Sequence, residues 1–381
     1  MGSLHEGSEF VLPASGVRYK IDSLLGTGAT SRVYSCTAIP AGATGASSDD
    51  AGAAAAAAAQ GGCLRFAPIT LKVALPQPGR TAGCAEEVET LAYLKQKWRQ
   101  TRRPPEACPF AELLGWFNDA GAVCMAFAGG GVSLADVMAA RSAGPQLQAW
   151  TLPEVRHIAH SLLSAVAFLQ HGSGGLIHTD IKPSNIIVQH LSASPSQAAD
   201  ARSNWFSKAG TITPAGQAVR LIDFGHATFD GDAEPVDVFV AAENGRGAVG
   251  TPQYRAPELQ QGLPWGHGVD LWAVGCVLLK LCGAEQLLLP RASAAETCHA
   301  RSEACEPRAA AAAAAGPRAT ADAEAAACAP GGSAHLPLLR LLGTLLSEDA
   351  SLRSDANAVM TAHADFLMGA GGDGSSGSAV P

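Results

Sequence analysis

Along the first third of the chain, apolar and polar positions alternate over short runs, the two-residue period of strands half-buried in a sheet. Residues 19–38 read as two strands joined by a glycine-containing turn, residues 67–75 as a third strand, and residues 111–127 as a hairpin turning at Asp119-Ala120-Gly121. Between them the period changes. Val88, Leu91 and Leu94 recur at helical spacing within residues 84–99. Further on, helices dominate. Residues 152–171 are amphipathic and open with Thr151 as an N-cap and Pro153 in the first turn. Helical patterns at 267–283, 335–347 and 354–368 follow. The pattern predicts two unlike lobes, strand-rich and then helix-rich.

Three stretches break this patterning. Residues 40–62 and 291–333 each contain a run of seven alanines, Ala53–Ala59 and Ala309–Ala315, and residues 189–217 are rich in Ser, Ala and Gln. They hold too few large apolar side chains to offset the entropy of ordering. They read as insertions at the surface, with docking of regulatory partners as the sharper alternative. The Gly/Ser-rich residues 369–381 read as a disordered tail.

Composition narrows the function. The 381 residues carry a net charge of −8, which argues against a general nucleic-acid binder, since that needs a basic face. The ten cysteines form no CxxC pair and no cluster with zinc-ligand spacing, so reduced thiols in an intracellular protein, cytoplasmic or nuclear, are expected. The N-terminus lacks the apolar core of a secretory signal. The strongest apolar run, Val269–Leu281, is short and interrupted by Asp270 and Lys280, so it reads as a core helix and no membrane span is expected.

Candidate chemistry begins at Gly26-Thr27-Gly28-Ala29-Thr30-Ser31-Arg32-Val33. Glycines allow a backbone to approach phosphates without interference from Cβ. Here they lead into a strand, whereas a dinucleotide fingerprint leads into a helix. Next, Lys72 lies in the apolar strand Ile69-Thr70-Leu71-Lys72, where an ammonium needs a partner. Fifteen residues on, Glu87 lies beside the inward face marked by Val88, Leu91 and Leu94. Glu86 and Glu89 are its competitors, read as a solvated face.

Together with His178-Thr179-Asp180, Asn185, Asp223-Phe224-Gly225 and Ala256-Pro257-Glu258, these segments resemble the signature of the eukaryotic-type protein kinase family, in that family's order and over residues 19–367. The resemblance implies an α+β bilobal fold. Its small β-rich lobe with one main helix would span 17–127, and its larger, mainly helical lobe 128–368. It implies an ATP- and Mg²⁺-dependent transfer of the γ-phosphoryl group to a serine or threonine hydroxyl of a protein substrate. Asp180 would accept the proton of that hydroxyl, and Lys182 would balance charge on the transferring group. The Asp-x-Lys pattern is that of the serine/threonine class. Lys72, paired with Glu87, would hold phosphates, and Asn185 and Asp223 would hold Mg²⁺. Gly26, Thr27 and Gly28 would cover the phosphates. Val33 and Thr70 would cover the base from above and Ile187 from below. The hinge would run from Ala126 through Ala128 to Gly130, with Met125 at the back of the pocket. The resemblance also implies that His178 and Phe224 stack in an apolar column with Leu91, that Asp270 anchors the catalytic-loop backbone, and that Glu258 pairs with Arg353.

Thr179 departs from the pattern, which has arginine there to receive an activation-loop phosphate. Between Gly225 and Thr251 the only hydroxyl residue is Thr228, and the stretch holds Asp230, Asp232, Glu234, Asp237 and Glu243. Activity independent of activation-loop phosphorylation is expected. The His-Thr-Asp variant resembles kinases of Arg/Ser-rich splicing proteins. Tyr254-Arg255 before Ala-Pro-Glu resembles the cyclin-dependent branch, and Gly250-Thr251-Pro252 other branches. The alternative function is a scaffold that binds nucleotide or partners without turnover. A small-molecule kinase of related fold is the third reading, against which the Ala256-Pro257-Glu258 segment speaks.

Overall fold

A computed structural model describes residues 4–28, 31–39, 69–74, 82–129, 131–143, 149–190, 212, 216–230, 249–283 and 336–369. The stretches 40–62 and 291–333, the interior of 189–217 and the tail beyond Gly369 lie outside the described residues, as does Gly130.

The alternating segments form one six-stranded antiparallel sheet. Its strands are β1 (Glu9–Val11), β2 (Arg18–Thr27), β3 (Ser31–Ala38), β4 (Ile69–Ala74), β5 (Leu113–Asp119) and β6 (Ala122–Ala128), in the order β1-β2-β3-β4-β6-β5. Strand β1 lies ahead of residue 17, where the small lobe was expected to begin. The sheet curls until its two edges meet. Phe10 on β1 stacks on Phe117 on β5, with ring centroids 5.2 Å apart. Inside lie Leu12, Tyr19, Ile21, Tyr34, Cys36, Ile69, Leu71 and Ala126. Helix α1 (Ala82–Gln100) buries Val88, Leu91, Leu94 and Trp98, the face its spacing predicted, toward the larger lobe.

Two short strands and a helix that the pattern did not single out follow: β7 (Val132–Ser133) and α2 (Leu134–Ala143) directly, β8 (Leu176–Ile177) further on. Ser133 supplies the start signal of α2. Its hydroxyl accepts the Asp136 amide, an N-cap bond, and donates to the Asp136 carboxylate. Helices α3 (Leu152–Ala167) and α4 (Pro257–Gln260), with α5 (Gly268–Leu281), α6 (Leu336–Leu345), α7 (Ala356–Ala362) and α8 (Ala364–Leu367), build the large lobe. The patterns at 152–171 and 354–368 are not continuous α-helices. The first ends in a π-helical turn at Phe168–Gly172, and the second is split at His363 after a 3₁₀ turn at Ala350–Arg353. Helix α5 is buried almost throughout, as a core helix should be. No helix among the described residues is long and apolar enough to cross a membrane.

Strands β9 (Ile186–His190) and β10 (Gln217–Leu221) form a hairpin flanked by β7, and β11 (Thr228–Phe229) pairs with β8. The ends of the 189–217 stretch therefore belong to strands. Ile212 is clipped to the large lobe, its N–H donating to the buried Glu154, which also binds Arg141 at 2.6 Å.

Candidate active site

The β9–β10 register, Leu221 opposite Ile186, sets the catalytic loop beside the Asp223 turn. The Ile222 N–H donates to the Asn185 carbonyl at 3.0 Å. The same hairpin seats His178 against Phe224, ring centroids 4.7 Å apart; both are buried, and Phe224 shares one core cluster with Leu91. Asp270, fully buried on α5, accepts the N–H groups of His178 and Thr179 at 2.7 and 2.8 Å. Burial pushes its carboxyl up, and the two backbone bonds with nearby His178 and His267 counter that only in part.

Four donors hold the Asp180 carboxylate. Oδ1 accepts from the Thr251 N–H at 2.9 Å and the Thr251 hydroxyl at 2.6 Å. Oδ2 accepts from Lys182 Nζ at 2.6 Å and Asn185 Nδ2 at 3.1 Å. Lys182 also donates to Thr251 Oγ1 at 2.8 Å. Thr251 is a site residue that sequence reasoning read only as a branch marker. Its signal was present in Gly-Thr-Pro, but nothing in the spacing says that a side chain 71 positions away closes on Asp180.

On the other side of the cleft, Lys72 Nζ lies 2.8 Å from both Glu87 oxygens and 2.8 Å from Asp223 Oδ1. Of the three glutamates on α1, Glu87 is buried while Glu86 and Glu89 are exposed. Burial opposes the Lys72 ammonium, but Glu87 and Asp223 outweigh it and hold its pKa above the ordinary value. Burial raises the Glu87 carboxyl, with Lys72 only partly countering it. Burial would raise Asp223 too, but there Lys72 wins and the net shift is downward.

The residues also suit a hard cation. Asn185 commits its side-chain N–H groups to Asp180, and neither its side-chain oxygen Oδ1 nor the second oxygen of Asp223 has a protein partner among the described residues. Two oxygens adjoining one cleft are the donor type that Mg²⁺ requires.

The glycine segment is a tight hairpin. Gly26 pairs with Val33, Thr27 with Arg32, and the Gly28 N–H donates to the Ser31 carbonyl. A Cβ on Gly26 would meet no atom within 4 Å, so the protein's own packing does not demand the glycine. Val33 and Thr70 are partly exposed on neighbouring strands. Ile187, on β9, is partly exposed and lies against Gly131. A Cβ on Gly131 would fall 2.3 Å from its Cγ2, so that position tolerates only glycine.

The expected hinge, from Ala126 to Gly130 with Met125 before it, falls at the end of β6. Met125 and Ala126 are both fully buried, Met125 in the interlobe core and Ala126 inside the curled sheet. Strand β6 runs on to Ala128, with Met125 opposite Lys72 and Phe127 opposite Thr70. Phe127 lies on the same face of β6 as Met125 and is partly exposed. Ala128 is at the strand's end, but its N–H is committed to the Glu112 carbonyl at 2.9 Å.

Comparison with known proteins settles the family. The protein kinase domain model matches residues 111–363, roughly two thirds of the chain. This chain belongs to the protein kinase family. The glycine hairpin, Lys72 and Glu87 precede the matched region, so geometry alone joins them to it. The serine/threonine-protein kinase AFC1 of Arabidopsis thaliana is 30% identical over 191 residues, 50% of this chain and 37% of that protein. The Drosophila melanogaster serine/threonine-protein kinase Doa is 33% identical over 172 residues, 45% of this chain and 18% of Doa. The dual specificity protein kinase CLK2 of Homo sapiens is 27% identical over 263 residues, 69% of this chain and 42% of CLK2. The chain thus spans less than half the length of these relatives.

Proposed function

We propose that this kinase-family chain is an active ATP- and Mg²⁺-dependent enzyme that phosphorylates serine or threonine in protein substrates. One observation carries the reading. Lys72 bridges Glu87 and Asp223 at 2.8 Å while Lys182, Asn185 and Thr251 hold Asp180, so both halves of a phosphoryl-transfer site are assembled at once. In this reading Asp180 orients the substrate hydroxyl and takes its proton, and Lys182 offsets charge on the transferring group. Lys72 holds phosphates under the Gly26–Gly28 hairpin. Asn185 and Asp223 hold the Mg²⁺, which when bound neutralises phosphate charge. Val33, Thr70 and Ile187 enclose the base, with Phe127 and the Ala128–Gly129 backbone at the hinge. A scaffold without turnover would have no need for this arrangement.

Activity without activation-loop phosphorylation is part of the proposal. Thr228 is paired with Ile177 in the β11–β8 ladder, which makes it a poor acceptor. Asp232, Glu234, Asp237 and Glu243 lie outside the described residues.

The test is the purified chain with Mg-ATP and a peptide library, before and after phosphatase treatment, beside Asp180→Asn and Asp223→Asn. Phosphate on serine or threonine, absent from both variants and unchanged by phosphatase, is expected. Transfer no greater than in the variants would favour the scaffold, phosphate on tyrosine alone would refute the class, and a tenfold loss after phosphatase would refute the independence.

A further inference from the structure

Thr179 has φ +68°, a backbone region that a β-branched residue adopts only where its surroundings over-determine it. Three separate segments do so. The Thr179 N–H donates to Asp270 Oδ1 on α5 at 2.8 Å. Its carbonyl lies 2.6 Å from where a Cβ on Gly250 would stand, and Gly250 itself has φ +69°. Its hydroxyl donates to the His226 carbonyl at 2.9 Å. The side chain is buried, with 7% of the residue exposed.

The first two contacts use the backbone and are indifferent to the side chain. Only the third requires a hydroxyl, and its position gives it meaning. His226 lies in the Phe224–Ala227 turn that directly follows Asp223, itself at φ +68°. The segment is tied ahead of Asp223 by the Ile222 N–H on the Asn185 carbonyl and within the turn by the Ala227 N–H on the Phe224 carbonyl. The Thr179 hydroxyl ties the turn to the catalytic loop. We infer that Thr179 is a positioning residue, a neutral latch that holds the Phe224–Ala227 turn, and so Asp223, in register with Asp180 and Asn185. It needs no charge and no phosphate. This rests on the kinase reading above, because the register matters only if Asp223 serves the reaction.

The competing account is that Thr179 merely fills space. Valine fills the same space and keeps the β-branch but lacks the hydroxyl. Thr179→Val, Thr179→Ala and Thr179→Ser in the full chain therefore separate the two. Hydrogen–deuterium exchange of the peptide over residues 222–230 and steady-state kinetics are the readouts. Loss of one hydrogen bond predicts about five- to tenfold faster exchange there in the Val and Ala variants. It also predicts a kcat lowered up to about tenfold, with KM for ATP within about twofold. Thr179→Ser should restore both. The Ala variant, free of the β-branch at positive φ, keeps the test available if Val does not fold. Wild-type exchange in Val and Ala, or a Ser variant that exchanges as fast as Val, would overturn the latch. If the wild type transfers no more phosphate than Asp180→Asn, the kinase reading fails, while the exchange comparison still decides the latch.

Discussion

Replacing Glu258 by glutamine tests how the segment next to the catalytic loop is anchored. Arg353 is fully buried and donates to the Glu258 oxygens at 2.9 and 2.6 Å, to the Gly268 carbonyl at 2.7 Å and to the Ser347 carbonyl at 2.9 Å. Its guanidinium lies 5.3 Å from the centre of the Trp272 ring. Glu258 opens α4 three residues after Arg255, whose guanidinium holds the Val249 and Gly250 carbonyls beside Thr251. The pair thus fastens the strip that reaches Asp180. Glu258→Gln leaves a guanidinium buried without its counter-ion, and breaking one side of such a pair costs about 3–5 kcal/mol. At roughly 2–4 °C per kcal/mol for a chain of this size, Tm should fall by about 6–20 °C in a calorimetric scan. The double variant Glu258→Leu with Arg353→Met removes both charges and keeps most of the volume, so it should recover much of the loss. A Glu258→Gln protein within about 2 °C of wild type, or a double variant as costly as the two single changes added, would refute the reasoning.

Thr251→Val removes the 2.6 Å hydroxyl bond to Asp180 and an acceptor of Lys182. A hydrogen bond to a charged group contributes about 1.5–3 kcal/mol, so kcat/KM should fall about 10- to 100-fold, with Thr251→Ser close to wild type. Stability should depend on pH through the histidines. Burial holds His157, His160, His267 and His363 below the ordinary imidazole pKa, so on acidification the unfolded chain takes up protons before the folded one. Tm should be level above about pH 6.5 and decline below it; a Tm that rises between about pH 6.5 and 5.5 would contradict this.

Much of the site was legible because its residues sit at short, regular separations. Asp180, Lys182 and Asn185 share one loop, Asp223 follows a strand, and Glu87 stands beside an apolar stripe that could face only inward. Where local sequence is neutral, the reading stopped short. Phe10 and Phe117 are remote in the chain, and only the curl of the sheet brings β1 against β5. Alternation over 111–127 shows which residues share a face but not where the strand leaves its sheet. That end point is set by the pairing of Ala128 with Ile69.

The sequence by itself determined the lobes, the order of the motifs and the chemistry each residue can offer. These follow from period, side-chain type and local spacing, which are properties of short segments. Only the tertiary structure decided that Thr251 closes on Asp180, that Met125 is buried while Phe127 is partly exposed, and that the Thr179 hydroxyl meets the His226 carbonyl. Each of these depends on register and close approach between segments far apart in the chain, and those distances exist only once the core has packed.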